Sequence, residues 1–399
     1  METPQLTTKS ERLWNANFIK VSAGNFLLFF AFYLLMPLLP LYLKETFHST
    51  KDVIGAVLSG YTVAALLARP FSGYLVDSFP RKKVLMMCFF LFFIFFAGYL
   101  LAGTLMLFFV VRTVHGVPFG ALTVANSTAA IDVLPSSRRS EGIGYYGLSN
   151  NLAMATGPMA AIYLYDLTGS FDVLFVSALL VAGIGLVVDA TVRLPRRQLL
   201  SDKRKISLDR FFLVVGWILF LCMTGFGYSY GVLSNFLAIY GKETLGITSG
   251  TGTFFLLLAV GLMLSRLEGA ASLRKGKIVY NATIGMCISL VGYTLFVAVP
   301  DLWGYYGAAI LIGLGNGHLW PAFQNMFINL ASNDQRGTAN STLLVAWDVG
   351  IGLGVVIGGV LAEYISFPAA FWSSVAVNAV SVATFIVLAR PHYARHRLR

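Results

Sequence analysis

The sequence predicts an all-α membrane protein with twelve transmembrane helices in two pseudo-symmetric six-helix bundles. Three observations carry this reading. Hydrophobic residues make up 57% of 399 positions and charged residues only 12%, against about 25% charged in an ordinary soluble domain. The apolar residues fall into runs long enough to cross a bilayer, which takes ~20 residues. Landmarks of the first half recur in the second at a nearly constant spacing. A water-soluble enzyme and a nucleic-acid-binding protein are poor fits to such a composition. The runs are too long and continuous for barrel strands, so the backbone must satisfy itself as helix.

The predicted spans follow in order. The first, 17–43, comes after a polar, mixed-charge start without the apolar core and cleavage site of a signal peptide, and is expected to act as the insertion signal. Span two, 52–76, ends before the basic cluster Arg81, Lys82 and Lys83, and span three, 82–102, begins there. Spans four and five, 104–133 and 139–166, are divided by Arg138 and Arg139, and span six covers 170–192. The most hydrophilic stretch, RLPRRQLLSDKRKISLDR at 193–210, reads as a linker. This divides the chain into an N-terminal bundle at 1–192, a cytoplasmic linker at 193–209 and a C-terminal bundle at 210–399. The second half reads as spans at 210–240, 250–267, 276–299, 302–331, 335–364 and 368–390. Each is an apolar run bounded by polar residues or by Pro and Gly.

Charge orients the chain. Of the 29 Lys and Arg residues, 23 fall in the termini and even-numbered loops and three, Lys44, Lys51 and Lys242, in odd-numbered loops; Lys20, Arg69 and Arg112 lie within spans. This bias predicts that both termini are cytoplasmic. It also accounts for the net charge of +11 without a nucleic-acid partner. The basic end ARPHYARHRLR reads as a topology anchor. Cys88, Cys222 and Cys287 are widely separated in apolar stretches, with no metal-binding or disulfide spacing.

The repeat is seen at specific residues. LYLKET at 41–46 matches IYGKET at 239–244, an offset of 198. At an offset of 197, Gly116 falls on Gly313, Gly120 on Gly317, Arg139 on Arg336, Gly157 on Gly354 and Asp166 on Glu363. Two six-helix repeats predict a site between the halves near mid-membrane, the arrangement of a transporter.

Four motifs carry chemistry. GYLVDSFPRKKVL, Gly73 to Leu85, places an acid four residues after a glycine and ahead of a basic cluster. RTVHG, Arg112 to Gly116, puts a cation and an imidazole on one helical face in mid-span, where a charge costs ~2.5–3.5 kcal/mol or more and is expected to face water or a partner. Gly157-Pro158 marks a kink in span five, and span one carries a Pro-x-x-Pro at Pro37 and Pro40. AWDVGIGLG, Ala346 to Gly354, holds Asp348, the one acid well inside any span of the second half, with Ser341 and Gly352 leaving room around it. Asn151 occupies the matching place in span five.

These motifs resemble the major facilitator superfamily, over nearly the whole chain. The Gly73–Leu85 segment resembles that family's loop between spans two and three, with Ser78 and Pro80 departing from the usual residues. The resemblance implies a cytoplasmic gate of Gly73, Asp77, Arg81 and Asp132, with Asp77 at the N-terminus of span eleven and Arg81 paired with Asp132. Arg112 to Gly116 is similar to an antiporter signature with His115 in place of glutamine, and the longer form to Gly120 resembles a bacterial branch that exports drugs, sugars or metallophores. Gly157-Pro158 matches part of another antiporter signature.

The expected function is export of a small organic solute in exchange for protons, the halves rocking about a central cavity. Proton coupling is expected at Asp348, then His115, with Arg112 acting on both. Asn25, Arg112, Asn151, Asn235, Asn316, Trp320 and Gln324 are expected to contact substrate; Asn316, Trp320 and Gln324 lie four apart on one face of span ten, with His318 turned away. No cofactor beyond the proton gradient and no metal is expected. The expected setting is a bacterial inner membrane, with a monomer as the working unit. Span one lacks an acid, so a symporter or uniporter of the same fold is the alternative. A membrane enzyme acting on lipid is disfavoured by the absence of a nucleophile–base or metal constellation.

Overall fold

The structure, a computed structural model, describes residues 12–49, 51–195, 208–247 and 251–398. Most of the expected linker, 196–207, lies outside the described residues. Hydropathy placed the helices closely. The first span is two helices, α1 (Ala16–Leu35) and α2 (Leu39–Phe47). Pro37, which lacks an N–H and clashes with the preceding turn, interrupts the expected continuous span at this point. Then come α3 (Lys51–Ser78), α4 (Arg81–Leu101), α5 (Leu105–Val133), α6 (Arg139–Thr168) and α7 (Phe171–Ala190). The second half comprises α8 (Trp217–Leu245), α9 (Thr251–Arg274), α10 (Ile278–Ala298), α11 (Leu302–Leu330), α12 (Arg336–Tyr364) and α13 (Phe367–Thr384). A single π turn, Phe385–Ala389, leads from α13 into α14 (Arg390–His396).

Three boundaries differ from the expectation. Short 3₁₀ turns at Leu208–Arg210 and Val214–Gly216 precede α8, which begins seven residues late. The backbone stays helical through Arg266 to Arg274, and Gly276 (φ +72°) supplies the left-handed turn that separates α9 from α10. The last span runs on to His396 through the π turn.

Ten helical stretches among the described residues are long and apolar enough to cross a membrane. The two long helices outside that set, α6 and α11, are as long as the rest, at 30 and 29 residues. They are more polar because they carry Ser149, Asn150 and Asn151, and Asn316, His318, Gln324 and Asn325. With α1–α2 and α13–α14 each counted as one crossing, the chain has the twelve expected spans.

Packing repeats the sequence duplication. The pairs α3–α5, α4–α5, α1–α6, α1–α7 and α4–α7 in the first half answer to α9–α11, α10–α11, α8–α12, α8–α13 and α10–α13 in the second. Small residues set the closest approaches. A Cβ at Gly116 would collide with the carbonyl oxygen of Tyr61, and one at Gly313 with that of Leu258; those two partners are themselves 197 residues apart. Glycine lets α5 lie on α3, and α11 on α9, backbone against backbone. Even the helix caps correspond. Thr104 accepts the Leu107 N–H at the start of α5, and Asp301, 197 residues on, accepts the Gly304 N–H at the start of α11. The halves meet mainly along α3–α12 and α6–α9.

The glycine seams make a direct prediction. Gly116→Ala or Gly313→Ala is expected to lower the melting temperature of the detergent-purified protein, as overpacking costs ~1–3 kcal/mol. Gly55→Ala and Gly252→Ala, where nothing among the described residues lies within 4 Å of the added Cβ, are expected to leave it unchanged. Equal effects at all four positions would contradict the seam.

Candidate functional site: a central cavity and a charged latch

A cavity of about 360 Å³ lies between the halves. Its walls alternate aromatic rings and amides. From the first half come Tyr61, Asn25, Asn150 and Asn151; from the second come Trp320, Trp347, Tyr230, Asn316 and Gln324. Trp347 packs edge-on to Trp320 at 5.2 Å and against Tyr230 at 5.3 Å. Asn25 is held from two sides, donating to Ser149 Oγ at 2.8 Å and accepting from the Tyr146 hydroxyl at 2.7 Å. Such fixed amides can orient a polar solute, while the rings supply area for its apolar part.

Asp348 lines this cavity and pairs with Arg69 of α3, an ion pair that ties the two halves together. Arg69 Nη1 also donates to the Leu344 carbonyl at 3.3 Å. Both side chains are nearly buried, at 9% and 14% exposure. Arg69 is a charged residue of the cavity wall that sequence reasoning missed. Its signal was present: it is one of three basic residues inside predicted spans, and Arg266 repeats it 197 residues later.

Arg112 and His115 are placed elsewhere. Both are buried within the first half and neither is part of the cavity wall. They share one hydroxyl: Arg112 Nη1 donates to Tyr99 OH at 3.0 Å, and His115 Nδ1 lies 2.6 Å from the same oxygen. The Arg112 guanidinium stacks 4.1 Å from the ring centre of Tyr61, which itself lines the cavity. His115 is enclosed by Phe92, Phe95 and Phe96. The expected action of Arg112 on Asp348 is therefore corrected. The cation beside Asp348 is Arg69, which projects from α3 across the interface, whereas Arg112 is screened by Tyr61. Asn235 is also outside the cavity wall; it is exposed and donates to the Gly231 carbonyl of its own helix at 2.9 Å. His318 joins α11 to α10 through Asn281 at 3.0 Å.

Below the cavity, toward the face that carries the chain ends, a polar chain crosses between halves. Gln324 donates to Asn340 at 3.0 Å, and Asn340 donates to Thr128 at 3.0 Å. Deeper still is the latch. The Asp77 carboxylate accepts the N–H groups of Gly337 at 2.9 Å and Thr338 at 2.8 Å, and the Thr338 hydroxyl at 3.0 Å. These are the free donors of the first turn of α12, where the helix dipole favours an anion. Gly73 makes this contact possible: a Cβ there would lie 3.0 Å from Thr338 Cα. Asp132 is shared by Arg81 of its own half and Arg336 of the other, the latter at 2.8 Å. Arg81 also reaches Asp77 at 3.3 Å. A second tie joins Glu141, held by Arg138 at 2.9 Å, to Arg274 at 3.9 Å.

A sequence profile of the Major Facilitator Superfamily matches residues 21–299 and 269–398. The chain belongs to that superfamily. It is thus a multi-pass membrane transporter and not an enzyme. Its relatives include efflux proteins. It is 24% identical over 336 residues to the staphylopine export protein of Staphylococcus aureus, covering 80% of this chain and 83% of that one. It is 26% identical over 375 residues to the multidrug resistance protein MdtG of Escherichia coli, covering 90% of each. The fold is similar to that of the human organic anion transporter MFSD10 (TETRAN), with a TM-score of 0.79 at 17% identity over 92% of this chain and 98% of that one.

The buried pair yields a stability test. Removing one partner leaves the other charge uncompensated, which costs ~3–5 kcal/mol, whereas removing both is far milder. Arg69→Gln and Asp348→Asn are each expected to lower the melting temperature more than the double variant does. Additive losses in the double variant would show that the two side chains do not interact.

Proposed function

We propose that this transporter is a proton-driven exporter of a small organic solute, with its chain ends and latch on the cytoplasmic side of a bacterial inner membrane. The Lys and Arg bias supports that orientation, and the efflux relatives support the direction. The single observation that carries the coupling scheme is the Arg69–Asp348 pair in the cavity wall, bridging the halves. Antiport requires proton and solute to exclude one another. A cationic group of the solute competes with a proton for the Asp348 carboxylate, which meets that requirement at one atom pair. With the latch closed, the cavity belongs to the side from which a proton enters and the solute departs. Asn25, Asn151, Asn316, Trp320 and Gln324 hold the solute; Gly73, Asp77, Arg81 and Asp132 hold the cytoplasmic mouth shut. Arg112 and His115 act indirectly, by fixing Tyr61 in the wall.

The same pair defines a second reading. An anionic solute would take Arg69 from Asp348, and the freed carboxylate would accept a proton, so that solute and proton travel together. Solute charge thus decides between exchange and co-transport.

In everted vesicles acidified inside, a panel of amphipathic amines is expected to accumulate and to leave when an ionophore collapses the gradient. Asp348→Asn is expected to cut this gradient-driven flux by about tenfold or more, equivalent to ~1.4 kcal/mol, while solute–solute exchange persists and loses its pH dependence. Undiminished gradient-driven flux in Asp348→Asn would refute the assignment. Expulsion of preloaded organic anions down the same outward proton gradient, with no accumulation of amines, would favour the second reading.

A further inference from the structure

Asp189, in the last turn of α7, is fully buried, and neither carboxyl oxygen has a hydrogen-bond partner among the described residues. The carboxyl group lies flush on the backbone of α1: a Cβ at Gly24 would be 2.7 Å from Asp189 Cγ. The next residue of α1 is Asn25, part of the cavity wall and bonded to Tyr146. The ionisable groups on the helices packed around Asp189 are Lys20 of α1, Lys82 of α4 and Tyr146 of α6. None bonds its carboxylate. Lys82 Nζ instead donates to the backbone carbonyls of Asp189, Ala190 at 3.0 Å and Val192 at 2.8 Å. Lys20 Nζ reaches the Thr191 carbonyl at 3.4 Å.

An ionised carboxylate buried without a partner costs several kcal/mol, and the group avoids that cost by holding a proton. Lys82 directly follows Arg81, whose guanidinium is gripped by Asp77 and Asp132 while the latch is closed. The first turn of α4 is therefore fixed in place, and with it the ammonium on its three carbonyls.

We propose that Asp189 is a second proton-binding site, occupied while the latch is closed and emptied when it opens, with Lys82 as the group that exchanges its carbonyl partners for the carboxylate. When Arg81 leaves Asp132, the first turn of α4 is released and Lys82 turns to Asp189. The carboxyl O–H bond breaks, its proton passes to water at the latch face, and a carboxylate–ammonium pair remains. This site is separate from the Arg69–Asp348 pair and does not depend on the role assigned to that pair.

Infrared difference spectroscopy of the full chain in nanodiscs at neutral pH tests this through the carbonyl stretch of protonated carboxyl groups. The expected result is a band that persists in Asp348→Asn and disappears in Asp189→Asn. Asp189→Glu, which keeps the acid, should shift the band and serves if the Asn variant does not fold. Breaking the latch with Asp77→Asn should weaken the band, and adding Lys82→Gln should restore it. A spectrum unaltered by both Asp189 variants, or a band indifferent to Asp77→Asn, overturns the proposal.

Discussion

Charge buried away from water needs a counter-charge or a hydrogen-bonded cage, and this constraint organises the molecule. Three of its buried charged groups show how. Arg69 and Asp348 neutralise each other across the interface. Arg112 lies on Tyr61 and donates to Tyr99. Asp132 is shared by arginines from both halves. Two of these arrangements need both bundles to be complete. The contacts that solve the burial problem are thus also those that register one bundle against the other.

The glycine seams serve the opposite requirement, rigidity within a half. Where α5 meets α3 and α11 meets α9, backbone approaches backbone with no side chain between. Glycine brings the helices of each half into backbone contact, whereas carboxylates and guanidinium groups tie one half to the other.

Much of this was legible in the sequence. Span positions followed from hydropathy, because lipid demands a long apolar run and tolerates few exceptions. The duplication was visible because close packing admits only glycine at 116 and 313, so the pattern persists where other residues diverge. Asp77, Arg81 and Asp132 could be named as partners because Gly73 to Leu85 resembles the superfamily's loop between spans two and three. Partnership was harder to read. Arg69 and Asp348 are 279 residues apart, and no local spacing announces that they meet. Arg112 seemed the natural cation for the cavity because it is in mid-span; two tyrosines satisfy it instead. Asn235 was named as a polar residue within span seven, but it is exposed and turned back onto its own helix. Asp189 reads as an ordinary residue at the end of a span until its oxygens are seen to be unbonded.

The duplicated positions Asn151 and Asp348 have a consequence for how such a scaffold diversifies. Both line the chamber, yet only one can ionise. A copied bundle that exchanges amide for acid at this single point changes the charge of the chamber wall and leaves the architecture intact. Descendants of one ancestral duplication can therefore differ in the charge of their chamber while remaining superimposable, with the ionisable member of the pair in either half.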